Sequence, residues 1–167
     1  MREENTQLVW FKRDLRVSDN EVLAQAAERG PVVPLYIAEP EYWLGSDTSA
    51  RQWNFIRDCL IDLRICFDRL GVPLIVRCGN TIEILSQIYQ NNKFKNLWSD
   101  EETGNSWTFN RDKTVAQWCR TRGVEWIELP QNGVIRGQSD RNNWAAERKK
   151  FANRKQSCIP NLSRNFP

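Results

Sequence analysis

Three cations and one carboxylate directly follow the first apolar run of the chain. Residues 8–11 are Leu, Val, Trp and Phe, and Lys12, Arg13, Asp14 and Arg16 come soon after them. Guanidinium groups hold phosphate and carboxylate groups well because they donate two parallel hydrogen bonds. The structural alternative is a charged loop in which Asp14 pairs with a neighbouring arginine. This junction therefore predicts either an anion-binding edge or an internal ion pair.

The residue types and motifs that are missing exclude several kinds of enzyme. The sequence contains no histidine, which excludes Ser-His-Asp and Cys-His nucleophile systems. Its eight glycines form neither a Gly-x-Gly-x-x-Gly fingerprint nor a phosphate-binding loop. The five cysteines form no Cys-x-x-Cys pair and are interpreted as reduced thiols. We therefore predict neither catalytic residues nor a metal site in this chain.

The composition is that of an ordinary globular domain with an uneven distribution of charge. No apolar run approaches the roughly 18 residues of a membrane-spanning helix, and the amino terminus lacks the apolar core of a signal peptide. We expect a cytoplasmic protein with no membrane partner. Residues 131–167 carry 8 Lys and Arg against 2 Asp and Glu, whereas residues 1–130 carry 16 against 19. The carboxyl-terminal stretch is therefore a candidate contact for nucleic acid or an acidic partner, or a solvated basic tail.

Apolar runs and helical periods alternate along the chain. The predicted strands are residues 8–11, 31–38, 73–78, 94–99 and 124–129. The predicted helices are residues 20–29 with Asp19 as the cap, 48–70, one that opens at 79–81, and 105–121. The longest helix carries an apolar stripe at spacings of three and four: Trp53, Ile56, Leu60, Leu63, Phe67 and Leu70. Strands separated by helical crossovers predict a doubly wound, five-stranded parallel sheet of the Rossmann-like α/β class, with helices on both faces.

Several segments of this sheet carry recognisable motifs. Residues 9–16 read VWFKRDLR and are followed by Asp19 and Asn20. The other motifs are YIAEP at 36–40, SARQWNFI at 49–56, LGVPL and VRCG between 70 and 79, EETG at 101–104 and RD at 111–112. Together they resemble the amino-terminal domain of the DNA photolyase and cryptochrome family, which opens with a VWFRRDLR-like segment and then DN. The resemblance covers about residues 7–155.

The resemblance implies a partner domain. In this family the α/β domain is followed by a linker and a helical domain that binds FAD and receives the DNA lesion. We expect residues 1–155 to form the α/β domain and residues 156–167 to begin the linker. The FAD-binding domain would belong to the same protein or to a split one, and damaged DNA would bind through the full-length protein. The chain alone is expected to hold no FAD and to repair no pyrimidine dimer.

The resemblance also implies an antenna chromophore, which is a deazaflavin, flavin mononucleotide (FMN) or methenyltetrahydrofolate in this family. A doubly wound sheet receives ligands at the carboxyl edge of its strands. We predict the chromophore between the loop after the first strand and the loop after the fourth. Lys12 stands where the family more often has arginine, so the two-pronged contact is lost there. The candidate cofactor-binding residues are Arg13, Arg16, Tyr36, Ile37, Arg51, Asp100 and Glu101.

Two classes of function remain open from the sequence. In the first, the chain is the antenna-binding and scaffold domain of a light-driven deoxyribodipyrimidine photolyase, a carbon–carbon lyase that repairs DNA. In the second, it belongs to a cryptochrome-like blue-light sensor or acts alone as an α/β module that binds a nucleotide or a protein. The residues that separate repair from sensing belong to the helical domain, so this sequence does not distinguish the two.

Overall fold

The computed structural model describes residues 6–134 and 143–162. The strands are β1 (Gln7–Phe11), β2 (Val32–Ala38), β3 (Ile75–Cys78), β4 (Asn96–Asp100) and β5 (Glu125–Leu129). The helices in these ranges are α1 (Glu21–Arg29), α2 (Pro40–Trp43), α3 (Ala50–Arg69), α4 (Thr81–Asn91), α5 (Ser106–Arg122) and α6 (Trp144–Ala152). No helix in the described part of the chain is both long and apolar enough to cross a membrane.

The five strands form one parallel sheet in the order β3-β2-β1-β4-β5. The chain starts in the middle at β1, moves outward through β2 and β3, and then crosses back to β4 and β5. The direction of winding therefore reverses between β1 and β4, and the loops that leave these two strands separate at the carboxyl edge. This arrangement confirms the predicted doubly wound α/β fold.

The central strand β1 is buried along its whole length and divides the core into two layers. Val9 and Phe11 face the layer formed with α1 and α3, whereas Leu8 and Trp10 face the layer formed with α4 and α5. A parallel strand covered on both faces is apolar at successive positions for this reason. Gln7 is the polar exception, and its Oε1 accepts hydrogen bonds from Trp98 Nε1 at 2.8 Å and from Asn96 Nδ2 at 2.9 Å.

Helix α3 packs on the sheet through the predicted apolar stripe. Leu63 and Phe67 are fully buried, and the other stripe residues are partly buried against the same layer. The Phe67 ring meets the Phe11 ring edge-on, with the centroids 5.5 Å apart. Ser49 caps the helix by accepting a hydrogen bond from the Gln52 N–H, so α3 starts two residues after the predicted start.

The cap of α1 differs from the prediction by one residue. Asn20, not Asp19, caps the helix, because its side chain accepts a hydrogen bond from the Leu23 N–H at 2.9 Å. Asp19 has a φ of +50° and binds the carboxyl-terminal segment instead. Its N–H donates to the Ser157 carbonyl at 3.1 Å, and its carboxylate accepts from the Ser157 N–H at 3.1 Å. Asp19 therefore fastens residues near 157 to the start of α1.

Candidate functional site at the carboxyl edge of the sheet

Four charged side chains from four different elements meet at the carboxyl edge. Arg13 follows β1 and donates from Nε to Glu102 Oε1 at 2.7 Å. Arg111 on α5 donates to the other carboxylate oxygen of Glu102, and it also donates to Glu39 Oε2 at 2.7 Å. Glu39 comes directly after β2 and accepts a further hydrogen bond from the Thr81 hydroxyl at the start of α4. One continuous polar network therefore joins the loops after β1, β2 and β4 to α4 and α5.

Arg111 is the centre of this network and is charged in the folded protein. Its side chain is 9% exposed and also contacts Asp112. Burial acts to lower the pKa of the Arg111 guanidinium, but the Glu39 and Glu102 carboxylates outweigh burial and raise it. Burial alone would raise the pKa of Glu102, yet the charges of Arg111 and Arg13 hold it below its usual value. The buried charges thus neutralise one another within the network.

Aromatic rings surround the network. The Arg111 guanidinium lies 4.8 Å from the ring centroid of Trp10 and 5.7 Å from that of Trp107. The Arg13 guanidinium lies 4.4 Å from the ring of Tyr42 on α2. Thr48 Oγ1 donates to the carbonyls of α2 and holds this short helix beside the edge. Cations on aromatic faces gain electrostatic energy in addition to their ion pairs.

A small cavity lies behind Tyr42 and a larger one lies beside it. The small cavity measures about 20 Å³ and is lined by Arg13, Tyr36 and Ile37, among others. Burial raises the pKa of Tyr36 to about 12, so its hydroxyl keeps its proton. This cavity is too small for a ring system, because the side chains of α2 and the ion pairs fill this edge of the sheet.

The larger cavity measures about 410 Å³ and opens between α4 and α5. Trp107 and Arg111 form one wall, and Glu39 lies at the end of β2. Asn80 and Asn110 add amide groups, which both donate and accept hydrogen bonds. A concave space with one aromatic wall and several polar groups is typical of small-molecule sites.

A second charged cluster lies at the same edge, next to the loop after β4. Asp100 is 7% exposed and Asp14 is 8% exposed. Arg16 Nε donates to Asp14 Oδ1 at 3.0 Å. Burial raises the pKa of Asp100 to about 7, and the nearby Asp14 carboxylate adds to that shift. Burial also raises the pKa of Asp14, against the opposing charge of Arg16.

The predicted cofactor-binding residues are distributed over separate places. Arg13, Tyr36 and Ile37 line the small cavity, and none of the predicted residues lines the large one. Arg16 and Asp100 belong to the second cluster. Arg51 is exposed in the first turn of α3.

Glu101 also lies away from the large cavity, where it is half-buried and donates its N–H to the Leu129 carbonyl at 2.9 Å. Four residues of the network and the cavities were not predicted as site residues from the sequence: Glu39, Tyr42, Trp107 and Arg111. Arg111 belongs to the RD motif at residues 111–112, and this motif was the signal from which it could have been predicted as a site residue.

We expect Asp14→Ala to destabilise the domain by about 1–3 kcal/mol. The substitution removes the carboxylate that accepts hydrogen bonds from Arg16 and Gln131. Urea unfolding followed by circular dichroism measures the loss. The matched control is Asp58→Ala, which removes an ion pair whose two side chains are more than half exposed. The control is expected to change stability by less than about 0.5 kcal/mol. Equal effects of the two substitutions would contradict the structural role of Asp14.

The fold and the edge define a doubly wound α/β domain with a ligand-sized cavity at the carboxyl ends of its strands. The family model for DNA photolyase matches residues 7–156, and the chain belongs to the photolyase and cryptochrome family as its amino-terminal α/β domain.

The chain is similar to known proteins of both branches. It is 36% identical over 141 residues to a deoxyribodipyrimidine photo-lyase of Escherichia coli, which covers 81% of this chain and 27% of that protein. It is 29% identical over 143 residues to a cryptochrome DASH of Oryza sativa, which covers 81% of this chain and 24% of the relative. The chain thus spans about a quarter of the length of these relatives.

A solved structure has the same fold. The archaeal photolyase of Sulfolobus tokodaii, described with two FAD molecules, superimposes with a TM-score of 0.72 at 20% identity. The superposition covers 91% of this chain and 36% of that one.

Proposed function

We propose that the chain is the antenna-chromophore-binding and scaffold domain of a light-driven deoxyribodipyrimidine photolyase. It works with a helical FAD-binding domain of the same protein or of a split one, and damaged DNA binds through the full-length protein. The observation that carries the proposal is the cavity of about 410 Å³ at the carboxyl edge, with Trp107 and Arg111 in its wall. The archaeal structural neighbour, described with two FAD molecules, supports a second chromophore in the full-length protein.

The shape of the cavity suits a planar chromophore. Its volume falls within the roughly 300–1,000 Å³ of small-molecule sites. The indole of Trp107 offers a stacking surface, and Arg111 stiffens the wall because it is bound to Glu39 and Glu102. Energy transfer needs a chromophore held in one orientation, and a stacking wall with oriented hydrogen bonds supplies this.

The charges of the cavity favour a ring with N–H donors over a phosphate group. Arg111 is already paired with the Glu39 and Glu102 carboxylates, and Glu41 brings a further acceptor to the lining. A buried phosphate needs cations that no other carboxylate occupies. The ring systems of deazaflavin and methenyltetrahydrofolate therefore suit this lining, whereas the phosphate of FMN and the glutamate tail of the folate do not. Arg13 supports the inner side of the site through its contacts with Glu102 and Tyr42, and Tyr36 lines the small cavity beside it.

Titration with deazaflavin, FMN and methenyltetrahydrofolate tests this assignment. We expect one of the first or third to bind the chain, and Trp107→Ala to weaken binding roughly tenfold through lost stacking. The control is Phe109→Ala on the same helix, which is 60% exposed and outside the cavity lining. Absorbance shifts and fluorescence anisotropy measure affinity. Equal binding by wild type and Trp107→Ala would exclude the cavity.

Two further variants test the residues predicted from the sequence. Tyr36→Ala and Asp100→Ala remove a ring and a carboxyl from the edge between the loops after β1 and β4. Full affinity in both variants would exclude these residues from the site. If no chromophore binds the wild type, the antenna role of the isolated chain is contradicted.

A blue-light sensor of the cryptochrome type is the second candidate function, and the similarity to a cryptochrome DASH favours it. The discriminating experiment joins the chain to its helical FAD domain and measures light-dependent repair of pyrimidine dimers. Repair supports the photolyase assignment, whereas a light-dependent flavin change without repair supports the sensor.

A further inference from the structure

Helix α6 is almost entirely exposed. None of its nine residues is buried, and only Phe151 is partly covered. Helices this short gain most of their stability from packing an apolar face against the rest of the protein. Packing against the core of this domain therefore does not account for the side chains that α6 exposes.

The exposed side chains are mainly cations. Arg148, Lys149, Lys150 and Lys155 are exposed, and Glu147 is the one acidic side chain among residues 143–155. Within the described ranges, the three lysines make no ion pair. A surface of this kind attracts polyanions, and its field falls off within about 10 Å at moderate salt.

Arg154 anchors this cationic surface to the domain. Its guanidinium binds Glu21 on α1 at 2.5 Å and lies 4.1 Å from the ring centroid of Phe151. Arg154 is therefore engaged within the protein, whereas the lysines point their charge at solvent. The surface is held in place by a residue that does not itself need to contact the partner.

An exposed indole lies beside one of these cations. Trp144 is 46% exposed, and the Arg148 guanidinium lies 5.3 Å from its ring centroid. An aromatic face beside cations matches the two parts of a single-stranded nucleic acid, which are a base with a π face and a phosphate backbone. A lipid surface is a poorer match because α6 offers one exposed large apolar side chain rather than an apolar face.

We propose that the α6 surface, formed by Trp144, Arg148, Lys149, Lys150 and Lys155, binds single-stranded nucleic acid without sequence preference. The lysines neutralise phosphates and Trp144 stacks on an unpaired base. This contact lies on the α/β domain itself. It requires neither the antenna chromophore nor the helical domain.

Fluorescence anisotropy with the whole chain and a labelled oligothymidylate tests the proposal. We expect binding whose logarithmic affinity falls with the logarithm of salt concentration. The variant Lys149→Gln/Lys150→Gln/Lys155→Gln should lose at least tenfold in affinity and lower that slope by about 2, or roughly 0.7 for each phosphate contact. Trp144→Ala should weaken binding to the single strand several-fold and leave duplex binding nearly unchanged.

The control removes three exposed cations from α3: Arg57→Gln/Arg64→Gln/Arg69→Gln. It should bind as the wild type does. All substituted residues are exposed, so unchanged thermal unfolding checks that the variants are folded. Equal losses in the control and the lysine variant would overturn the proposal. Absence of binding at about 50 mM salt, or binding to phosphatidylserine vesicles but not to the oligonucleotide, would overturn it as well.

Discussion

We expect Arg111→Met to destabilise the domain by about 3–5 kcal/mol, because it leaves the Glu39 and Glu102 carboxylates buried without their main cation. Methionine keeps much of the apolar stem, so the loss reports mainly on charge. Glu102 retains Arg13, whereas Glu39 retains only the Thr81 hydroxyl among the contacts described here. Urea unfolding at neutral pH measures the change in the free energy of unfolding.

A second substitution separates the lost ion pair from lost packing. Glu39→Gln in the Arg111→Met background removes one stranded charge, so it should restore part of the stability. In the wild-type background the same substitution removes a partner of Arg111 and should destabilise. A loss below about 1 kcal/mol in Arg111→Met, or no recovery in the double variant, would contradict the central role of Arg111.

We expect Asp100→Asn to stabilise the domain at pH 8 by an amount on the order of 2 kcal/mol relative to its effect at pH 5. Asp100 is buried close to Asp14, and burial raises its pKa to about 7. The folded protein therefore holds a proton on Asp100 that the unfolded chain, with a carboxyl pKa near 3.9, releases earlier. Asparagine keeps the shape of the protonated acid and cannot ionise.

The direction follows from the raised pKa. The proton is bound in both states well below the unfolded pKa of about 3.9, and the stability that it contributes is lost as the pH rises from there through the folded pKa of about 7. Lys12, Arg16 and Arg154 lower the pKa and so limit the effect. Unfolding curves at several pH values, with Glu101→Gln as the neighbouring control, measure it. A pH-independent difference between wild type and Asp100→Asn would contradict the raised pKa.

Local patterns were sufficient to predict the five strands and the helices α1, α3, α4 and α5, whereas α2 and α6 were not predicted. The short continuous apolar run of β1 is typical of a buried parallel strand, and the spacing of three and four on α3 is typical of an amphipathic helix. Alternating strands and helices then leave a doubly wound parallel sheet as the simplest arrangement. The motifs near β1 also indicated the family. Each of these features depends on residues close together in the sequence, or on the rule that governs crossover connections between parallel strands.

The pairing of charges was decided only in three dimensions. Arg13 and Arg16 are three residues apart, yet one binds Glu102 and the other binds Asp14, because the chain turns as it leaves β1. The start of α1 is a second case. Asn20 caps the helix, whereas the adjacent Asp19 binds Ser157 instead.

Arg111 became the centre of the edge network because α5 places it beside Trp10 of β1, Glu39 after β2 and Glu102 after β4. The closeness of its partners depends on the strand order and on the packing of α5. The sequence alone therefore determined the five strands, the four helices that connect them, and the family. The tertiary structure decided which carboxylate neutralises which arginine, and where space for a ligand remains, because both depend on distances between side chains far apart in the chain.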